Sequence, residues 1–129
     1  TGDGDFLMGV TAFWTAATAR IPFICLVVNN RSFFNDELHQ ERVAKERRRP
    51  VENRWIGQRI DDPAPDLAGM ARAQGLTAFG PVDDAAALRQ VLPEALEAFR
   101  RGEPVVIDIL VKAGYSPSMT QGMTRSPKH

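Results

Sequence analysis

Apolar and polar positions fall in blocks of two different periods along this chain, and the blocks predict a layered architecture. Residues 6–19 (FLMGVTAFWTAATA) repeat at helical spacing, with Phe6, Val10, Phe13 or Trp14, and Ala17 on one side. The segment is apolar nearly all round, which predicts a buried helix, and Asp5 stands where an N-cap belongs. Arg20-Ile21-Pro22 ends it. Phe23 to Val28 then runs without a polar residue and is partly β-branched. That is the signature of a strand covered on both faces, and so of a parallel sheet with helices packed on it.

Asn35 to Arg49 is a second helix candidate, with acids early (Asp36, Glu37, Glu41) and bases late (Lys45, Arg47, Arg48, Arg49), the arrangement a helix dipole favours. The basic run reads as a solvated helix end rather than an anion site. Residues 50–65 (PVENRWIGQRIDDPAP) follow neither period yet carry Trp55 and Ile56. A connection this long tends to be functional, and its tryptophan calls for packing against this domain or a partner. Asp66 caps a short helix (LAGMARAQ) that Gly75 closes. Leu76–Val82 is a weak strand. Asp83 or Asp84 caps a longer helix through Arg101, in which Pro93 is expected to produce a kink or a split. Residues 104–111 (PVVIDILV) form a strongly apolar strand, and 112–129 a polar C-terminal tail. The order helix, strand, helix, loop, helix, strand, helix, strand predicts an α/β fold with a mainly parallel sheet.

Composition narrows the functional classes. The 129 residues make one ordinary domain, 43% hydrophobic and 25% charged. Sixteen basic residues balance sixteen acidic ones, so no overall field draws the chain to nucleic acid or an anionic membrane, and any bound anion is held locally. Cys25 is the one cysteine and lies in the apolar run; it reads as an inert thiol suited to a reducing compartment. No apolar stretch reaches the ~18 residues of a membrane span, and no signal sequence is recognisable, so the expected location is cytoplasmic.

Geometry joins the first residues to a later pair. A helix of ~15 residues is about 22 Å long, and a strand of ~7 residues rises about 23 Å. If Gly2-Asp3-Gly4 stands at the C-terminal edge of the sheet, the helix descends and Phe23–Val28 climbs back, delivering Asn29-Asn30 beside Asp3. That edge is where α/β proteins bind ligands. A carboxylate and an amide oxygen suit Mg²⁺ or Ca²⁺, free N–H groups at a helix start suit phosphate, and the glycines leave room for it. Together these features describe a site for a metal-bridged phosphate or diphosphate.

Gly2-Asp3-Gly4, residues 5–28 and then Asn29-Asn30 resemble the cofactor motif of thiamine-diphosphate-dependent enzymes. The text GDGDFLMGVTAFWTAATARIPFICLVVNN is similar to the C-terminal, diphosphate-binding domain of the acetolactate synthase, pyruvate decarboxylase and benzoylformate decarboxylase group, and the likeness extends more loosely to Val111. The resemblance implies a Rossmann-like three-layer α/β/α fold, with 1–129 a single partial domain truncated on its N-terminal side. It implies thiamine diphosphate and Mg²⁺ as cofactors. Asp3, Asn30 and the backbone carbonyl of Ser32 would be the metal ligands. Gly2, Asp3, Gly4, Asp5 and Asn30 would line the cofactor, with N–H groups around Gly4 and Asp5 on the phosphates. Asp5 departs from the serine or alanine usual there, so its side chain is expected to cap the helix. Phe6, Leu7 and Met8 would shape the pocket or simply pack the core.

The implied function is carbon–carbon bond cleavage or formation on a 2-oxo acid, acetolactate-synthase-like because GDGDFLM reads closest to that branch. The alternatives are a simple 2-oxo acid decarboxylase or a non-catalytic diphosphate-binding or dimerisation module. The chain would act as a lyase or transferase only with the rest of its enzyme. The activating glutamate is expected on a pyrimidine-binding domain of the same or another subunit, within a homodimer or tetramer. Glu37, Glu41, Glu46, Glu52, Glu94, Glu97 and Glu103 match no such position. Asn35, Asp36, Glu37 and His39 follow the metal motif closely enough to reach substrate, but on so polar a helix His39 reads as solvent-facing, and His129 carries no argument.

Overall fold

The structure, a computed structural model, describes residues 1–114. His129 and most of the expected 112–129 tail lie outside the described residues. In chain order the elements are α1 (Asp3–Gly9), α2 (Ala12–Thr18), β1 (Phe23–Asn29), α3 (Phe34–Glu46), α4 (Leu67–Ala73), β2 (Thr77–Val82), α5 (Ala85–Arg100) and β3 (Pro104–Leu110). The strands form one parallel sheet in the order β1-β3-β2, with helices on both faces, as the alternation of elements predicts. Among the described residues no helix is long and apolar enough to cross a membrane.

β3 is central because it is the strand that can be buried on both sides: Pro104 to Asp108 are all buried. Its alternate residues face different cores. Val106 joins Phe6, Val10, Val27, Leu67, Ala71 and Leu76 under α1 and α4, whereas Val105 and Ile107 join Val82, Ala95 and Ala98 under α5. A chain of rings, Phe6 to Phe13 at 5.1 Å and Phe13 to Phe23 at 5.7 Å, ties α1 and α2 to the start of β1.

The first helix departs from expectation in three ways. It begins at Asp3 with Gly2 as N-cap, and no side chain caps it, so Asp5 is not the cap. Asp5 is exposed within the first turn. The ladder is also interrupted after Gly9: Phe13 N–H donates to Val10 and Trp14 N–H to Thr11, the tighter i−3 pattern. Gly9 and the β-branched Val10 and Thr11 are poor helix formers at that point. Finally, the helix is not buried all round, since Met8 is 71% and Trp14 59% exposed. One side only of a helix reaches the sheet, and Phe6 and Val10 occupy it.

β1 is likewise covered on one face rather than two. Val27 and Asn29 are buried under α1 and α4, while Leu26 and Val28 are about half exposed. The cause is topological: α5 packs chiefly on β2 and β3 and hardly reaches β1. Cys25 is half-buried, and burial pushes its thiol above the ordinary range, in keeping with an inert group.

The later elements follow their sequence signals. Asp66 accepts from Gly69 N–H at 2.7 Å and so caps α4, and Gly75 follows its end at φ 91°. Of the two candidates for α5, Asp84 is the cap, accepting from Ala87 N–H at 2.7 Å. α5 continues through Pro93 without splitting. Pro93 and Arg89 are both exposed, so the turn that loses a hydrogen bond to proline lies at the surface. α3 stops at Glu46, and Arg47–Arg49 lie exposed beyond it.

One polar pair interrupts the core. Asp108, 2% exposed, accepts from Asn29 Nδ2 at 3.0 Å at the C-terminal end of the sheet. β2 closes over it at Gly80, φ 118°, where a Cβ would stand 2.5 Å from the Asp108 carbonyl. Burial pushes the Asp108 carboxyl above the ordinary carboxylate range; the Asn29 hydrogen bond and Arg31 oppose this, and the charges of Asp3 and Asp66 add to it.

Two outcomes follow for urea denaturation. Leu67→Ala, at a residue 0% exposed, is expected to cost about 2–5 kcal/mol, and Met8→Ala, on the open side of α1, less than about 0.5 kcal/mol. Asp108→Asn keeps the acceptor for Asn29 and removes a buried charge. Because folding raises the pKa of this carboxyl, its ionised form lowers stability at neutral pH, and that cost fades as pH falls through the raised value. The variant should therefore be at least as stable as the parent at pH 7, with its advantage shrinking toward pH 4.

Candidate functional site

The C-terminal edge of the sheet gathers the residues that the motif singles out. Thr1 and Gly2 run alongside β1: Val28 N–H donates to the Thr1 carbonyl at 2.8 Å, and Gly2 bridges Val28 in parallel register. Gly2 is extended (φ −80°, ψ 162°), and the chain turns at once into α1. Asp3 is thereby buried, 2% exposed, beside the end of β1. The matched lengths of the descending helices and ascending strand produce the predicted meeting of Asp3 with Asn29-Asn30.

The loop after β1 is wound by its own side chains. Asn29 Oδ1 accepts from Arg31 N–H at 3.1 Å, and Asn30 Oδ1 from Ser32 N–H at 3.0 Å. These are consecutive side-chain turns of the kind asparagine favours. They hold Arg31 at φ 58°, a left-handed conformation uncommon for a residue with a side chain. Ser32 N–H also donates to Asp3 Oδ2 at 3.1 Å. One N–H thus faces two oxygens, the Asp3 carboxylate and the Asn30 amide oxygen, which approach from different elements. Among the described residues the Ser32 carbonyl accepts no hydrogen bond.

Burial raises the Asp3 carboxyl above its ordinary value, opposed by the N–H groups of Asp3 itself, Gly4, Ser32 and Arg31. Such a carboxylate, dehydrated and set beside an amide oxygen and an open carbonyl, is a donor set of hard oxygens that suits Mg²⁺ or Ca²⁺. Among the described residues no group of three or more His, Cys, Asp and Glu could hold a metal, so a cation here would rely on neutral oxygens and on its own ligand for the rest of its shell. Beside this site lies a cavity of about 420 Å³ whose polar border is Asn30, Arg31, Arg59, Asp61, Asp83 and Lys112, with bases and acids nearly balanced.

Gly4 has a packing reason of its own. A Cβ there would run into the Phe33 ring, so the space that the second glycine leaves is filled by Phe33. Asp5 is exposed. Of the residues after the motif, Asn35, Asp36 and His39 are exposed as expected of a polar helix, but Glu37 is 1% exposed. Ser32 Oγ donates to Glu37 Oε1, and Arg59 Nε pairs with the same oxygen at 2.8 Å.

Arg59 belongs to the aperiodic segment 50–65, which is stitched to the loop. Ile60 N–H donates to the Arg31 carbonyl and Phe33 N–H to the Gln58 carbonyl, both at 2.9 Å, around an antiparallel bridge between Ser32 and Arg59. Its Trp55 remains 48% exposed and Ile56 56%. The sequence places Glu37 with Asn35, Asp36 and His39 within reach of substrate rather than buried against Ser32, and it does not single out Arg59 or Asp108. Only Asp108 carried a readable signal, as the single charge within PVVIDIL.

The profile of the family "Thiamine pyrophosphate enzyme, C-terminal TPP binding domain" matches residues 1–109. No curated protein matches the chain. Among solved structures, the Rhodococcus jostii RHA1 thiamine diphosphate-dependent 4-hydroxybenzoylformate decarboxylase is similar, with a TM-score of 0.59 and 21% identity over 90% of this chain and 19% of that one. At that identity the likeness carries the fold. The family match over most of the chain carries more: this chain belongs to the C-terminal thiamine-pyrophosphate-binding domain family of thiamine pyrophosphate enzymes.

Proposed function

We propose that the edge formed by Asp3, Asn30 and Ser32 holds Mg²⁺ together with the diphosphate of thiamine diphosphate, as one half of an active site for carbon–carbon chemistry on a 2-oxo acid. The observation that carries this reading is the convergence of Asp3 Oδ2 and Asn30 Oδ1 on the N–H of Ser32, within 3.1 Å, at a residue whose carbonyl accepts no hydrogen bond among the described residues. Asp3 and Asn30 would hold the cation through their side chains and Ser32 through its carbonyl. Gly2, Gly4 and the N–H groups at the start of α1, Asp5 included, would lie along the diphosphate. When bound, thiamine diphosphate supplies an electron sink for breaking or making a bond next to a carbonyl.

The chain's own residues do the binding and orienting. Asp3 brings one negative charge to a cation that diphosphate further neutralises, and its burial keeps water from competing. The Asp5 side chain is exposed and caps nothing, so its part in the site would be played by its N–H alone. The pyrimidine ring and its activating glutamate would be served by another domain, of the same or another subunit, in a dimer or tetramer.

The lead reaction is an acetolactate-synthase-like carboligation, supported by the sequence GDGDFLM. Simple decarboxylation is the second reading, supported by the fold neighbour being a decarboxylase. Product analysis of the full-length enzyme on 2-oxo acids separates them: a coupled product with CO₂ supports the first, an aldehyde with CO₂ the second. Cofactor binding with no CO₂ from any 2-oxo acid would leave a binding module.

Calorimetry of the full-length protein tests the cofactor site. Thiamine diphosphate should bind only with Mg²⁺. Asp3→Ala should weaken binding by about 100-fold, the upper end of what changes around a metal site cost, whereas Asp5→Ala should bind as the parent does. Equal affinity in Asp3→Ala and the parent would remove Asp3 from the site.

A further inference from the structure

Ser32 is held at every donor it has. Its N–H faces Asp3 and Asn30. Its one hydroxyl proton goes to Glu37, with the Gln58 carbonyl a second acceptor 3.3 Å from Oγ. The peptides on either side are pinned at 2.9 Å to Ile60 and Gln58 of segment 50–65. A residue fixed at N–H, hydroxyl and both neighbours cannot turn its peptide plane, so its free carbonyl points in one direction.

Glu37 is an expensive way to hold one serine. A carboxylate 1% exposed is strongly unfavourable without a cation and hydrogen bonds. Arg59 Nε supplies the cation at 2.8 Å, and Arg59 in turn lies 3.9 Å from Asp61. α3 carries three other acids, Asp36, Glu41 and Glu46, and none of them is buried. The one carboxylate turned inward is the one that meets Ser32.

We propose that Glu37 is a positioning residue for the cation site: through Ser32 Oγ it adds to the Phe33–Gln58 hydrogen bond in fixing the direction of the Ser32 carbonyl, and Arg59 holds Glu37 in place, making segment 50–65 part of that site. The inference rests on the reading of Asp3, Asn30 and Ser32 as ligands. It predicts a selectivity effect that a merely structural role lacks. Mg²⁺ demands near-ideal octahedral geometry at short distance, and Ca²⁺ accepts irregular shells. Freeing one ligand's direction therefore weakens Mg²⁺ more than Ca²⁺.

The test is titration of Mg²⁺ and of Ca²⁺ into full-length protein in the presence of a fixed excess of thiamine diphosphate, with the apparent Kd for each cation read from the cofactor uptake it supports. Ser32→Ala keeps the carbonyl and loses only the hydroxyl; Glu37→Gln and Arg59→Met disturb its anchor. Each should raise the Kd for Mg²⁺ about tenfold, the scale of outer-shell changes, and that for Ca²⁺ distinctly less. The Ser32→Ala/Glu37→Gln double variant should be no worse than the weaker single, because both act through one bond.

Unchanged Mg²⁺ affinity in Ser32→Ala and Glu37→Gln overturns the proposal, as does an equal loss for both ions or full additivity in the double variant. If Glu37→Gln fails to fold, Ser32→Ala decides alone. Asp3→Ala, run alongside, separates the two levels. Loss of Mg²⁺ there with retention in Ser32→Ala and Glu37→Gln sinks only the role of Glu37, whereas retention in Asp3→Ala sinks the cation reading and this inference with it.

Discussion

A buried carboxylate at the open edge of a sheet is unfavourable unless donors surround it, and Asp3 lives under that constraint. The donors are backbone N–H groups, its own and those of Gly4, Arg31 and Ser32. They come from two chain segments that must arrive together. The first is delivered by the pairing of Thr1 and Gly2 with Val28, the second by β1 and the asparagine-wound loop behind it. The rest of the molecule is arranged to keep that meeting in register. The Phe6, Phe13 and Phe23 rings fix α1 and α2 against the foot of β1, and Phe33 closes over Gly4 at its head.

Around this edge the charges are graded by depth. Asp3 and Asp108 are deep and raised by burial; Glu37 is as deep but paired with Arg59; Asp61, Arg31 and Lys112 border the adjacent cavity. A cation entering among Asp3, Asn30 and Ser32 would relieve the deepest uncompensated charge. Burial of the Asp3 and Asp108 carboxyls makes the domain less stable at neutral pH than its hydrophobic packing alone allows.

The apolar exposure of the chain has a similarly local origin. Leu26 and Val28 are uncovered because α5 lies over β2 and β3, and Met8 and Trp14 because one side only of α1 and α2 meets the sheet. The same pattern explains why a nearly all-apolar helix and an unbroken apolar strand, whose sequences predict full burial, are covered on one side only. Apolar character states what a segment can tolerate next to it, and the neighbours decide whether anything is there.

Periodicity, caps and glycines were enough to determine the element order, the parallel sheet, the cap at Asp66, an aspartate cap at 83 or 84 and the meeting of Asp3 with Asn29-Asn30, because each depends on contacts between near neighbours or on element lengths. The N-terminal helix was misjudged where local signals compete: Asp5 looks like a cap, but Gly2 already turns the chain. Glu37, Arg59 and the bridge from segment 50–65 to Ser32 were illegible for a different reason. An acid in the first turn of a polar helix looks the same whether it faces water or an arginine from a loop some twenty residues on. Only the folded chain decides that, since the energy of a buried charge is set by the partner space provides and not by its neighbours in sequence.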